Sequence, residues 1–220
     1  MLTFIGIGPG DPELLTLKAV RLMRQADAIA LSDKGVALRI VKDLVGEKPI
    51  LELNLPMRGS RADWESAHDR AAAQLLDWLE RYESVALPVL GDPNIYATSS
   101  YLLRRIRPHH PCAVVPGIPA MCAAAAALRM PLCEKGETLT VLDHFAEGAA
   151  LPEGGCVVMK AGGCLEEIRR AAEDREVYIA RDLGMAGEWL GPLAEMPDEN
   201  RSYFTTAIVP AKGRSARERR

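Results

Sequence analysis

A chain of 220 residues, 48% hydrophobic and 26% charged, is long enough for one large domain or two small ones and has a globular balance. Its formal charge of −3 gives no reason to expect nucleic acid binding. The longest apolar run, Ile118 to Leu128, is too short to span a bilayer, so no membrane role is expected.

The chain opens at once on a β-rich run, Leu2 to Ile7, with no charged lead, so no signal peptide is expected. Glu13 to Gln25 then places Leu14, Leu17, Val20, Leu22 and Met23 near helical spacing. A strand over Ala26 to Leu31 and a helix over Val36 to Val45 follow. Next come a strand over Ile50 to Leu55 and a long helix over Ala62 to Tyr82. Val85 to Leu90 reads as strand, Ile95 to Ile106 as helix and Ala113 to Val115 as strand. Strand alternating with helix predicts a largely parallel α/β sheet.

After an alanine-rich helix at Ala120 to Leu128 the pattern changes. Strand-like runs occur at Leu139–Leu142, Cys156–Met159, Val177–Ala180 and Tyr203–Val209, with one clear helix at Leu165–Glu173. The expected fold is therefore two α/β domains, 1–115 with a parallel-rich sheet and 116–210 with a mixed, more strand-rich one. The segment 211–220 carries five basic residues and one acidic, a net +4 that leaves −7 on the rest. Poor in apolar side chains, it is expected to be a disordered tail. The five cysteines, Cys112, Cys122, Cys133, Cys156 and Cys164, lack CxxC spacing and sit in or beside apolar stretches. They read as reduced, small hydrophobes in a cytoplasmic protein.

Three junctions share a grammar of glycine ending a strand and proline opening a helix. They are Gly6-Ile7-Gly8-Pro9-Gly10-Asp11-Pro12, Leu90-Gly91-Asp92-Pro93 and Val115-Pro116-Gly117-Ile118-Pro119-Ala120. Helix capping explains part of this: Asp11 and Asp92 suit an N-cap, and Pro12, Pro93 and Pro119 suit the first helical position. Three such loops at strand C-termini also suit a ligand, because glycine lets it approach the backbone and helix starts present free N–H groups. The first loop lacks GxGxxG spacing and no GxxxxGK[ST] occurs, so a dinucleotide or ATP site is disfavoured. No histidine–cysteine set has metal spacing, so no protein-bound metal is expected.

Gly6–Ala19, Leu90–Pro93, Val115–Ala120, Val157–Lys160 and Tyr203–Val209 together resemble the tetrapyrrole methylase family, in order and across nearly the whole chain. Within it, Asn54-Leu55-Pro56-Met57, Gly91 to Leu102, Cys122 to Ala126 with Met130-Pro131-Leu132, and Gly184 to Glu188 resemble the precorrin-2 or cobalt-factor II C20-methyltransferases. The segments Ser32–Gly35 and His144–Gly155 are shorter than in that subgroup. The resemblance implies two α/β domains, a homodimer, S-adenosylmethionine as cofactor and a tetrapyrrole substrate. Another family activity (C11, C17 or uroporphyrinogen methylation) and a non-catalytic tetrapyrrole-binding protein stand as alternatives.

By the same resemblance, Pro9, Gly91, Asp92, Ile95, Thr98, Ser99, Pro119, Ala120, Met159 and Thr206 would hold the cofactor. Asp92 would serve both as helix cap and as partner to cofactor charge. Lys34, Arg58, Arg61 and Tyr96 would meet a substrate rich in carboxylates, with Arg39 on the same expected side. Methyl transfer is an in-line displacement and depends mostly on positioning. Asp33, Tyr96 and His144 are the candidates for a base to take the departing proton. His68 falls on one helical face with Trp64, Ala71 and Leu75 and reads as a satisfied core histidine.

Overall fold

The computed structural model describes residues 1–32, 35–56, 59–173, 175–197 and 201–213. The chain divides into two units, Met1–Pro119 and Ala120–Arg220. In the first, strands β1 (Leu2–Gly6), β2 (Ala28–Leu31), β3 (Ile50–Glu52), β4 (Val85–Val89) and β5 (Cys112–Val115) form one sheet. Their order is β3-β2-β4-β1-β5 and every pairing is parallel. The connecting helices are α1 (Leu17–Gln25), α2 (Val36–Val45), α3 (Arg61–Arg81) and α4 (Ser99–Ile106).

Strand alternation builds a three-layer core from this sequence. Leu2, Phe4, Ala28, Ala30, Val85 and Leu87 point to one face, against Ala71, Leu75 and Leu79 of α3 and Leu102 and Ile106 of α4. Ile5, Ile29, Leu31 and Ala86 point to the other, against Ala19 and Met23 of α1 and Ile40 and Val41 of α2. A parallel sheet covered on both faces needs such near-continuous apolar strands. The β1→β2 connection leaves toward one edge and the β4→β5 connection crosses toward the other. The crevice between the C-terminal ends of β1 and β4 is therefore a topological switch point, where ligands enter folds of this kind.

Local chemistry explains where the elements differ from the periodicity. The expected helix from Glu13 is split: Pro12–Leu14 is a 3₁₀ turn capped by Asp11, and Leu15 and Thr16 are extended. Thr16 then caps α1 by accepting from the Ala19 N–H at 3.1 Å. At α3, Ser60 and Asp63 form a reciprocal capping box. His68 is fully buried, and its Nδ1 meets the Trp64 carbonyl at 2.8 Å. Its Nε2 has no partner, so the expected satisfied histidine is satisfied on one side only. The Arg105 guanidinium of α4 binds Asp69 at 2.7 Å and also Glu65, tying α4 to α3.

In the second unit, β6 (Leu139–Leu142), β7 (Gly155–Val158), β8 (Tyr178–Arg181), β9 (Trp189–Pro192) and β10 (Thr205–Val209) form a sheet of order β6-β7-β10-β8-β9. The β6–β7 pair is parallel and the other three are antiparallel. Helix α5 (Ala120–Ala127) packs Ala124 and Ala125 on Val157, Ala180 and Ile208. Helix α6 (Leu165–Ala172) packs Leu165, Ile168 and Ala172 on the opposite face, with Cys156, Val158, Ile179 and Ala207. Burial there pushes the Cys156 thiol up to about 11. The Arg175 guanidinium donates to the carbonyls of Pro152, Gly154 and Pro210, fastening three chain segments at one end of the sheet. Strand β9 escapes the sequence reading because Gly191 and Pro192 look like a loop. Proline is tolerated there because β9 is an edge strand. Among the described residues no helix is long and apolar enough to cross a membrane.

At the start of β2 and β4, Asp27 and Ser84 lock the two strands together. The Asp27 carboxylate accepts from the Ser84 N–H at 2.9 Å and from its hydroxyl at 2.7 Å. The Ser84 oxygen accepts from the Asp27 N–H at 3.0 Å. These bonds hold the Asp27 carboxyl below its ordinary 3.8, and the Ser60 bonds do the same for Asp63. A depressed folded-state pKa contributes stability that is present above the ordinary value and lost as pH falls through the folded one. Urea midpoints should therefore drop between pH 5 and pH 2.5, and the drop should be smaller in Asp27→Asn; an equal drop in both proteins would refute the assignment.

Candidate functional site

The three glycine-proline loops follow β1, β4 and β5, three adjacent strands, and so meet at the switch point. Backbone fixes them first. Gly8 and Gly91 form an isolated bridge, and the Gly91 N–H donates to the Gly8 carbonyl at 2.8 Å. Both glycines have positive φ, 73° and 69°, a conformation that suits residues without a Cβ. Gly6 and Gly117 touch backbone to backbone. A Cβ on Gly117 would collide with the Gly91 carbonyl oxygen and with Gly6, and one on Gly6 would collide with Gly117.

Asp92 adds the side-chain tie. One carboxylate oxygen accepts from the Asn94 N–H at 2.7 Å and from its side-chain amide at 3.0 Å. The other accepts from the Gly117 N–H at 3.0 Å, across to the loop after β5. This overturns the reading of Asp92 as a helix cap. No helix begins at Pro93; residues 93–98 are turn, bend and irregular chain, and α4 starts only at Ser99. Tyr96, at φ 46°, sits in the left-handed region and cannot continue a helix. The same carboxylate–Asn94 bond makes an Asx turn, a local alternative to a cap. Pro119 lies one residue before α5 rather than inside it.

The remaining candidate residues fall into groups. Pro9 is buried beside Gly8, and Ile95, Thr98 and Ser99 line the turn after Asp92, where the Ser99 hydroxyl reaches the Pro93 carbonyl at 3.5 Å. In the second unit, Ala120 opens α5, Met159 follows β7, and Thr206 lies on β10. The Met159 N–H donates to the Leu142 carbonyl at 2.8 Å. Met159 packs in the same apolar cluster as α5, and strand alternation puts Thr206 on the Ile208 side of β10, so Met159 and Thr206 share the sheet face that α5 covers. Tyr96 and His144 are exposed, in the loops after β4 and β6. Arg61 is exposed at the start of α3, which follows edge strand β3, and β2 and β4 lie between that strand and β1. Arg39 is exposed on α2. Asp33, Lys34 and Arg58, like Met57, lie outside the described residues.

A methyl donor with an adenine ring, a ribose and an amino acid needs apolar surface beside accessible backbone and hydroxyl groups. The loops of the first unit carry part of that set at the surface: Ile95 and Ile118 are half-buried apolar side chains, Thr98 is an exposed hydroxyl, and glycine backbone lies between them, with Pro9 and Ser99 buried behind. The residues fit the group. Sequence reasoning found these loops but missed Asn94 and the Asp92–Gly117 tie; the adjacency of Gly91-Asp92-Pro93-Asn94 carries no sign of a partner 25 residues away.

A doubly wound sheet with glycine loops at its switch point is the α/β architecture in which small ligands sit at the strand C-termini. Residues 1–197 match the tetrapyrrole (corrin/porphyrin) methylases, and the chain belongs to that family. It is similar to the precorrin-2 C(20)-methyltransferase of a Sinorhizobium species, with 30% identity over 94% of this chain and 93% of that one. With a probable cobalt-precorrin-2 C(20)-methyltransferase of Methanocaldococcus jannaschii the identity is 36%, over 93% and 94%. A solved structure from Corynebacterium diphtheriae, a putative cobalamin synthesis related protein, shares the fold with a TM-score of 0.78 at 23% identity, covering 96% of this chain and 98% of that one. The family and its fold imply S-adenosylmethionine as the cofactor.

The glycine contacts give a direct test of loop geometry. Gly117→Ala should destabilise the protein by about 3 kcal/mol or more, because the collision is with backbone that cannot rotate away. Gly163→Ala, where an added Cβ meets nothing within 4 Å, should stay within about 0.5 kcal/mol in the same chemical denaturation series. Equal effects at the two positions would contradict the packing described.

Proposed function

We propose that this chain transfers a methyl group to C20 of precorrin-2 or its cobalt-containing form. The observation that carries the reading is end-to-end similarity: two proteins named for the C20 step match over more than nine-tenths of both chains. The Asn54–Met57, Gly91–Leu102 and Gly184–Glu188 segments that resemble the C20 subgroup support it. S-adenosylmethionine supplies an electrophilic methyl on sulfur. Pro9, Gly91, Asp92, Ile95, Thr98, Ser99 and Pro119 in the first unit, and Ala120, Met159 and Thr206 in the second, would hold it.

The acceptor is a nucleophilic bridge carbon, so the chain's own work is to orient it and then accept a proton. Tyr96 is the favoured group to pass that proton on, its phenol oxygen taking it as its own hydrogen leaves to water. It stands in the turn after β4, beside the proposed cofactor residues Ile95 and Thr98, and its positive φ is a local strain of the sort retained at working sites. Asp33 and His144 are the other candidates. Lys34, Arg58 and Arg61 would neutralise substrate carboxylates, and the active form is a homodimer.

Incubating the purified chain with precorrin-2 or cobalt-precorrin-2 and methyl-labelled cofactor should place one label at C20. Label at another carbon would refute the C20 assignment and keep the family chemistry. A chain that binds tetrapyrrole but neither S-adenosylmethionine nor S-adenosylhomocysteine would instead be a carrier. In the same assay Tyr96→Phe should slow turnover about tenfold or more with cofactor affinity within about twofold, whereas His144→Ala should leave turnover nearly unchanged. An undiminished rate in Tyr96→Phe would remove Tyr96 from the chemistry.

A further inference from the structure

Asp92 is 8% exposed, and its carboxylate takes three N–H donors, two from Asn94 and one from Gly117. A carboxylate offers about four lone-pair directions, so most of its acceptor capacity is spent inside the protein. The three bonds come from two loops, the one after β4 and the one after β5. Gly117 in turn touches Gly6 and the Gly91 carbonyl with no room for a Cβ, so the loop after β5 has no slack against its neighbours. Moving the Gly117 N–H moves all of Val115–Pro119 relative to the loops after β1 and β4.

We propose that Asp92 is a positioning residue for the methyl donor, acting through the Gly117 N–H, and that its carboxylate does not serve as the counter-charge of the cofactor. Asn94 is the second half of the device: its amide holds the carboxylate at the rotation that reaches Gly117. The proposal rests on the cofactor reading above and adds to it how the cofactor loops are held in register. It also makes the requirement at position 92 one of shape as much as charge. A carboxamide cannot substitute, because both oxygens face N–H donors and either orientation of Asp92→Asn sets an NH₂ against one of them. A glutamate keeps the charge but displaces the oxygens by one methylene from both loops.

Titration calorimetry on the full chain, with S-adenosylmethionine and S-adenosylhomocysteine separately, tests this against a charge role. The first ligand carries the sulfonium charge and the second does not. Asp92→Asn and Asp92→Glu should each weaken both ligands by the same factor, about tenfold or more, and Asn94→Ala by a smaller but again equal factor. Hydrogen exchange supplies a readout independent of ligand: the Gly117 amide should be strongly protected in the wild-type protein and unprotected in Asp92→Asn. Wild-type affinity in Asp92→Glu, or an Asp92→Asn protein weakened for S-adenosylmethionine alone, would overturn the proposal while leaving the cofactor reading intact. Failure of the wild-type chain to bind either ligand would overturn both. Should the Asp92 variants not fold, two measurements decide instead. An unprotected Gly117 amide in the wild type, or an Asn94→Ala protein that discriminates between the two ligands, overturns the proposal.

Discussion

The first unit is organised around one buried carboxylate. Asp92 bonds Asn94 in its own loop and the Gly117 N–H in the next, where Gly6, Gly91 and Gly117 already meet backbone to backbone. A charged acceptor satisfied by N–H donors makes stronger bonds than a neutral one, and low exposure keeps water from competing for them. The glycines make the approach possible, and the carboxylate gives it one geometry. The loops after β1, β4 and β5 thereby act as one surface at the strand C-termini.

This arrangement accounts for the economy of the site. The loops carry neither GxGxxG nor GxxxxGK[ST] spacing, and a ligand without phosphate needs no phosphate cradle. Proline in these loops removes N–H donors that a pyrophosphate would use, and it also restricts φ so that the chain enters each loop along a defined path. Rigidity of this kind suits a methyl transfer, whose rate depends mostly on holding two carbons and a sulfur in line. Positive φ gathers where the loops turn, without strain at Gly8 and Gly91 and with strain at Tyr96.

Much of the fold was legible before any coordinates. The bounds of α2 and β6 follow from periodicity alone, because each is a short apolar-patterned run between clear breaks. The parallel first sheet and mixed second sheet followed from the change in strand and helix spacing after Pro116. Other features were hidden. Thr16 starts a new helix inside a continuous helical pattern, because a side-chain hydrogen bond outweighs periodicity there. Asp92-Pro93 looks like a helix start yet makes a turn, because its carboxylate has a partner in another loop. Strand β9 contains glycine and proline and exists because β8 offers it an edge.

What the sequence determined by itself is the class of the protein: glycine-proline loops after β-rich runs, in a family order, on an alternating α/β chain. Local patterns suffice for that, since turn chemistry and strand alternation act over a few residues. Tertiary structure alone decided how those loops are joined. The Asp92–Gly117 bond, the Gly6–Gly117 contact and the shared sheet face of Met159 and Thr206 link residues that are distant along the chain. No short-range signal encodes such a pairing, because it is set by where the strands lie in the sheet.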